Sequence, residues 1–210
     1  MNLRKLKQAE KVFLHRYPGG FDNPELITAR VKKHKPDQMI ALAQECFFEQ
    51  NFSHPTRIVQ GMLKVISQSS ITSVFEKAKF KNFANALFPE EREFLSNGLN
   101  QLLHGEEQTG FEMMLDLFKS RKLAKWTLIT VCQTYFHPQR DVFIKPTTVK
   151  GVIAFFELEN LHYTPTPSWA FYEAYRSAFY EMKSKVDKSL SPTNPAFSGF
   201  LWMIVHNELF

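Results

Sequence analysis

The sequence predicts an all-α protein, an irregular bundle of about ten helices, and three observations carry that prediction. Proline recurs where a helix should begin, at Asn23-Pro24, Lys35-Pro36, His54-Pro55, Phe88-Pro89 and Lys145-Pro146. At the first helical position its missing N–H costs no hydrogen bond and its ring presets φ. Between these starts, apolar residues return at helical spacing rather than in alternation. Phenylalanine is heavy, at 21 of 210 residues, while the valine and isoleucine runs of buried parallel strands are missing. A chain of this length buries a sizeable core, and we expect one domain, 1–210, with a lobe boundary conceivable near Ser120.

Taken in order, residues 3–16 form an amphipathic basic helix, Leu3, Leu6 and Phe13 opposing Arg4, Lys5, Lys7 and Lys11. Tyr17-Pro18-Gly19-Gly20-Phe21 breaks it. Helices then follow the prolines over 25–34, 39–50 and 56–68, the last with a stripe of Ile58, Met62, Val65 and Ile66. Residues 71–87 read as a helix with Val74, Phe75, Phe83 and Leu87 apolar and Lys77, Lys79 and Lys81 outside. In 90–104, Glu90, Glu91 and Glu93 sit where the helix dipole favours anions. Phe111, Met114, Leu115 and Phe118 make the next stripe. The uncharged run through Trp126, Ile129, Val131, Cys132 and Phe136 reads as a buried helix, ended by His137-Pro138. Residues 139–145 read as an exposed connection or one short strand, and Val149, Val152, Ile153 and Phe156 follow as a helix behind Pro146. After the stiff Thr164-Pro165-Thr166-Pro167 connector, Thr166 or Ser168 caps an aromatic helix carrying Trp169, Tyr172, Tyr175, Phe179, Met182 and Val186. A closing helix presents Phe197, Phe200, Leu201, Ile204 and Val205.

Several function classes are excluded. With only Cys46 and Cys132 and no secretory leader, neither a disulfide framework nor export is expected, and the cytoplasm is the simplest compartment. No apolar run approaches the roughly 20 residues of a membrane span, so no membrane partner is expected. No GxGxxG or GxxxxGK[ST] occurs, which removes the Rossmann and P-loop sites. No CxxC, HxxxH or HExxH occurs, and Glu159-x-x-His162 is half of a di-iron motif without its second copy. We expect neither a metal nor a cofactor. Cys132 in its apolar run is an inert thiol.

The positive charge is concentrated. Residues 1–35 carry nine Lys/Arg against three Asp/Glu and residues 119–150 carry seven against one, while the remaining segments are acidic. If folding joins the two segments, Arg4, Lys5, Lys32, Lys33, Arg121, Lys122, Lys125, Arg140 and Lys145 would present a surface for DNA or RNA phosphates. Lysines that merely solvate helix exteriors are the bland alternative. A second expectation is an interaction or scaffold protein that meets a protein partner through exposed aromatic surface. A third is an enzyme centred on His137, Arg140 and Asp141, the last being the only carboxylate between Lys119 and Lys150. Against it stands a salt-bridged loop residue or cap, the reading that Asp141 favours. A helical DNA glycosylase would need a glycine-rich hairpin, and Ile144-Lys145-Pro146-Thr147-Thr148 has no glycine.

Tyr17-Pro18-Gly19-Gly20-Phe21, Trp126-x-x-x-Thr130, His137-Pro138 with Asp141-Val142-Phe143-Ile144-Lys145-Pro146, the segment from Tyr163 to Tyr172, and Phe200-Leu201-Trp202 span nearly the whole chain. In this combination the chain resembles a family of bacterial proteins of about this length to which no activity is attached. The resemblance implies a bacterial origin and one domain, and it carries over no catalytic residue.

Overall fold

The computed structural model describes residues 1–206, Arg30 by its backbone alone. Eleven α-helices and three 3₁₀ turns make an irregular bundle, with no strand among the described residues. The helices are α1 (Leu3–Arg16), α2 (Pro24–His34), α3 (Pro36–Cys46), α4 (Pro55–Gln68), α5 (Val74–Ala86), α6 (Pro89–His104), α7 (Glu107–Ser120), α8 (Trp126–Phe136), α9 (Pro146–Phe155), α10 (Trp169–Ser184) and α11 (Asn194–Val205). Proline occupies the first position of α2, α3, α4, α6 and α9, as its chemistry dictates. Elsewhere short polar side chains accept from the orphan N–H groups: Asn2 on α1, Ser73 on α5, Ser168 on α10 and Thr193 on α11.

Helix α8 is the axis of the bundle, with every residue from Trp126 to Tyr135 buried. Such a helix must satisfy its own polar groups. The Thr130 and Thr134 hydroxyls donate to the carbonyls four residues back, at 2.8 and 2.7 Å. Helices α3, α4, α6 and α7 surround it. The α6–α7 pair is the closest in the bundle because glycine removes side chains from the contact. A Cβ on Gly110 would stand 2.5 Å from the Gly98 carbonyl oxygen and overlap the Leu102 amide nitrogen.

After α7 the chain reverses at Lys122, whose φ of 56° lies in the left-handed region. The Leu123 N–H donates to the Phe118 carbonyl at 2.7 Å, closing a Schellman turn in which glycine is the usual left-handed residue.

Three expectations are corrected. Residues 139–145 form no strand and are exposed only at their ends, Gln139 and Lys145: Asp141, Val142 and Ile144 are buried. The N–H groups that a strand would give to its neighbour go to side chains instead. Val142 donates to the Tyr172 hydroxyl at 3.3 Å and Ile144 to the Thr130 hydroxyl at 3.2 Å. Helix α5 starts at Val74 rather than 71 because Ser73 and Glu76 close a capping box there. In that phase Phe80, Phe83 and Leu87 point inward, and Val74 and Phe75 stand out at 77% and 80% exposure. Helix α3 ends at Cys46, four residues short of its expected end, and Glu49–Ser53 forms a 3₁₀ turn.

Replacing Gly110 by alanine should force α6 and α7 apart, lowering the stability measured by urea denaturation by about 1–3 kcal/mol. Lys122→Gly should raise it by about 0.5–1 kcal/mol, the relief of left-handed strain exceeding the entropy of an added glycine.

Candidate functional site

The residues that the sequence offered as a catalytic group meet in the connection between α8 and α9. His137 closes α8, and its carbonyl accepts from the Arg140 and Asp141 N–H groups at 3.0 and 2.9 Å. That turn sends the Asp141 side chain inward, where it is 0% exposed. Arg140 donates from Nε and a terminal nitrogen to Asp141 Oδ2 at 3.2 and 3.0 Å. On Oδ1, the Tyr172 hydroxyl donates at 2.9 Å and Arg176 at 3.4 Å. Glu107, at the start of α7, pairs with Arg176 at 2.5 Å and Arg140 at 3.5 Å. The Arg176 guanidinium lies over the Trp169 and Tyr172 rings.

Further bonds hold the backbone of the same connection. The Tyr180 hydroxyl donates to the Gln139 or Arg140 carbonyl, each 2.7 Å away. The Asn194 amide donates to the Asp141 carbonyl at 3.3 Å. Burial pushes the Asp141 carboxyl above the usual carboxylate range, against the pull of Arg140 and of the hydrogen bonds from Arg140 and Tyr172.

This geometry is a clamp that ties α6, α7, α10 and α11 to one loop. An acid or base must reach the proton it transfers, and Asp141 is sealed from any substrate. His137 is committed as well, its Nε2 bonded to the Leu103 carbonyl at 2.9 Å, which requires the Nε2–H tautomer. Burial lowers the His137 pKa, with Arg140 acting the same way and the Leu103 bond opposing. Two clefts on the surface are lined by other residues than His137, Arg140 and Asp141. Among the described residues no cluster of histidine, cysteine or carboxylate side chains is arranged to hold a metal. The Cys132 thiol is fully buried and its pKa pushed up, as expected of an inert cysteine.

The clamp's remaining members escaped the sequence reading. Tyr172 was placed in the aromatic stripe of α10 as plain core, and Arg176, four residues further on the same face, was the signal that this stripe carries charge inside. Glu107 and Asn194 gave no local sign of their role.

The basic residues divide into two groups. Lys5 pairs with Glu157 at 2.8 Å, Arg121 pairs with Glu91, and Arg140 belongs to the clamp. Arg4, Lys32, Lys33, Lys122, Lys125 and Lys145 are exposed, without an ion pair among the described residues. Lys33 of the first positive segment and Lys145 of the second both act on one ring. His34, at the end of α2, has its pKa lowered by burial and then by the charges of Lys33, from the first segment, and Lys145, from the second.

His34 also ties this point to α5. Its Nδ1 lies 2.7 Å from the Ser70 hydroxyl, in the turn that Ser73 ends by capping α5. One turn into α5, Glu76 accepts from Thr127, two residues beyond Lys125. Phe75, Lys79, Asn82 and Ala86 then follow at i, i+4, i+7 and i+11 on one exposed face. At its far end this face meets Arg121 and Lys122 in a cleft of about 360 Å³. A second cleft, of about 140 Å³, lies by Phe21, Tyr135 and Pro192.

No family model matches the chain, nor does any curated protein or solved structure compared with it.

Asp141→Ala leaves two guanidinium groups facing Glu107 alone and should cost about 3 kcal/mol in urea denaturation. The pH dependence has a definite sign. His34 and His137 have folded pKa values below the ordinary 6.5. The unfolded chain therefore binds protons first, and the stability these residues contribute is complete above about pH 6.5 and is lost as pH falls below it. In His137→Gln, whose amide still donates to Leu103, the urea midpoint should fall less between pH 7 and 5 than in the parent.

Proposed function

We propose that the protein binds single-stranded nucleic acid along the exposed face of α5. The observation that carries this reading is Phe75, an aromatic ring left 80% exposed on the same helix face as Lys79 and Asn82. Positive charge flanks that face at both ends: Lys33 and Lys145 around His34 at the start, and Lys122 at the finish. The helix is about 20 Å long. A track of this kind follows a strand by attracting phosphates and stacking bases, and it tolerates any sequence because every base has a π-face. A double helix keeps its bases stacked inside and offers Phe75 no ring to meet. The setting that fits is the reducing cytoplasm of a bacterium, in keeping with the resemblance and with two unpaired cysteines.

A surface that meets a protein partner is the second reading. It draws on Phe88 and Phe94, which are exposed on α6 and its lead-in. A stable oligomer in size-exclusion light scattering that Phe94→Glu dissolves would favour it.

Fluorescence anisotropy with unphosphorylated single- and double-stranded oligonucleotides, at about 50 and 200 mM salt, tests the proposal. The expected result is tighter binding of the single strand with a steep salt slope. Phe75→Ala should weaken it by about 1–3 kcal/mol without changing that slope. Lys33→Glu and Lys145→Glu should each weaken binding and flatten the slope by about one unit. No binding at low salt, or full affinity in Phe75→Ala, would overturn the reading.

A further inference from the structure

The cleft at the far end of α5 is built for more than a passing strand. It is an open groove of about 360 Å³, within the range of small-molecule sites, and is lined by Lys79, Asn82, Phe83, Arg121, Lys122 and Leu123. Its floor is apolar, Phe83 and Leu123 being core residues that show only an edge. Its rim carries three cations and an amide donor.

Helix ends explain part of that charge. Helix α5 ends at Ala86, a cleft residue, and α7 ends at Ser120, so two carbonyl termini open there and favour cations. Arg121 is further accounted for by its bond to Glu91, which also accepts from the Phe88 N–H at 3.0 Å and so holds the guanidinium in place.

Lys122, two residues past the end of α7, is favoured by the same dipole. It occupies the left-handed position of the turn, where glycine would close the same hydrogen bonds without strain, and its side chain lines the cleft mouth. Lys35 and Glu157 also take a positive φ, so what sets Lys122 apart is its place: its ammonium joins Lys79 and Arg121 at one cleft.

We propose that this cleft binds a phosphate monoester carried on a flat apolar group. Lys79, Arg121 and Lys122 neutralise the phosphate dianion, Asn82 donates to an oxygen, and the Phe83–Leu123 floor takes the ring. Free mononucleotides and the 5′-phosphorylated end of a strand share this chemistry. The inference stands apart from strand binding by α5, which needs no terminal phosphate.

Isothermal titration of the full chain tests it with AMP, with inorganic phosphate, and with a tetranucleotide bearing either a 5′-phosphate or a 5′-hydroxyl. The expected result is saturable binding of AMP, of the phosphorylated tetranucleotide, or of both, with inorganic phosphate weaker for want of the ring. The tighter of the two identifies the natural source. Lys122→Gly and Lys79→Ala should each reduce that affinity about tenfold or more, the scale of a lost charge-assisted bond to phosphate.

Lys122→Gly serves as the decisive variant because it should melt higher than the parent, so lost binding cannot be assigned to misfolding. Absence of saturable binding by AMP and the phosphorylated tetranucleotide, or unchanged affinity in Lys122→Gly and Lys79→Ala, would overturn the proposal. Equal affinity for AMP and inorganic phosphate would overturn the role given to the apolar floor. Equal affinity for the 5′-hydroxyl and 5′-phosphate tetranucleotides, without binding of AMP, supports strand binding alone and counts against the cleft.

Discussion

One buried carboxylate sets the arrangement of the second half of the chain. Asp141 has no exposed surface, so its charge must be answered from inside, and two guanidinium groups and a phenol do so. Arg140 comes from the same loop, whereas Tyr172 and Arg176 come from α10, and Glu107 of α7 balances the pair of arginines. Because ion pairs and hydrogen bonds have direction where apolar contacts do not, this cluster fixes how α7 and α10 sit against the α8–α9 connection. The apolar core of phenylalanines supplies cohesion around it. Asp141, buried in this clamp, has no exposed surface to offer a substrate, and the functional reading moves to the surface.

On that surface the phase of one helix decides what is presented. Ser73 and Glu76 begin α5 at Val74, and the packing of Phe80, Phe83 and Leu87 into the core sets which side of the helix faces out. Phe80, Phe83 and Leu87 go inward, and Phe75, Lys79 and Asn82 go outward. The His34–Ser70 contact brings Lys33 to the head of the helix, with Lys145 close enough to act on the same ring. The Schellman turn after α7 delivers Lys122 to its tail. In the proposed reading the two basic segments, more than eighty residues apart in the chain, are joined through a helix that belongs to neither.

Much of the fold was legible because its signals are local. Proline at the first helical position, the apolar run of α8 and the stripe of α11 each act within a few residues, and each element lies close to where these features place it. What failed to read out is non-local or depends on phase. The 139–145 connection alternates like a strand, yet its N–H groups are claimed by Tyr172 and Thr130, which no local pattern reveals. Phe75 looks like core from its apolarity alone, but the packing of Phe80, Phe83 and Leu87 turns it to the surface. Of the basic residues, Lys33 and Lys145 were named from charge density alone, but that density also swept in Arg140, which the clamp uses, and passed over Lys79, which lies in an otherwise acidic segment.

The account turns on Phe75 meeting a base, and photo-crosslinking reads that contact directly. A single-stranded oligonucleotide carrying 5-iodouracil, irradiated with the protein at low salt and mapped by peptide mass spectrometry, should mark Phe75 in the α5 peptide. Crosslinks confined to other surfaces, or none under conditions where the strand is bound, would contradict it.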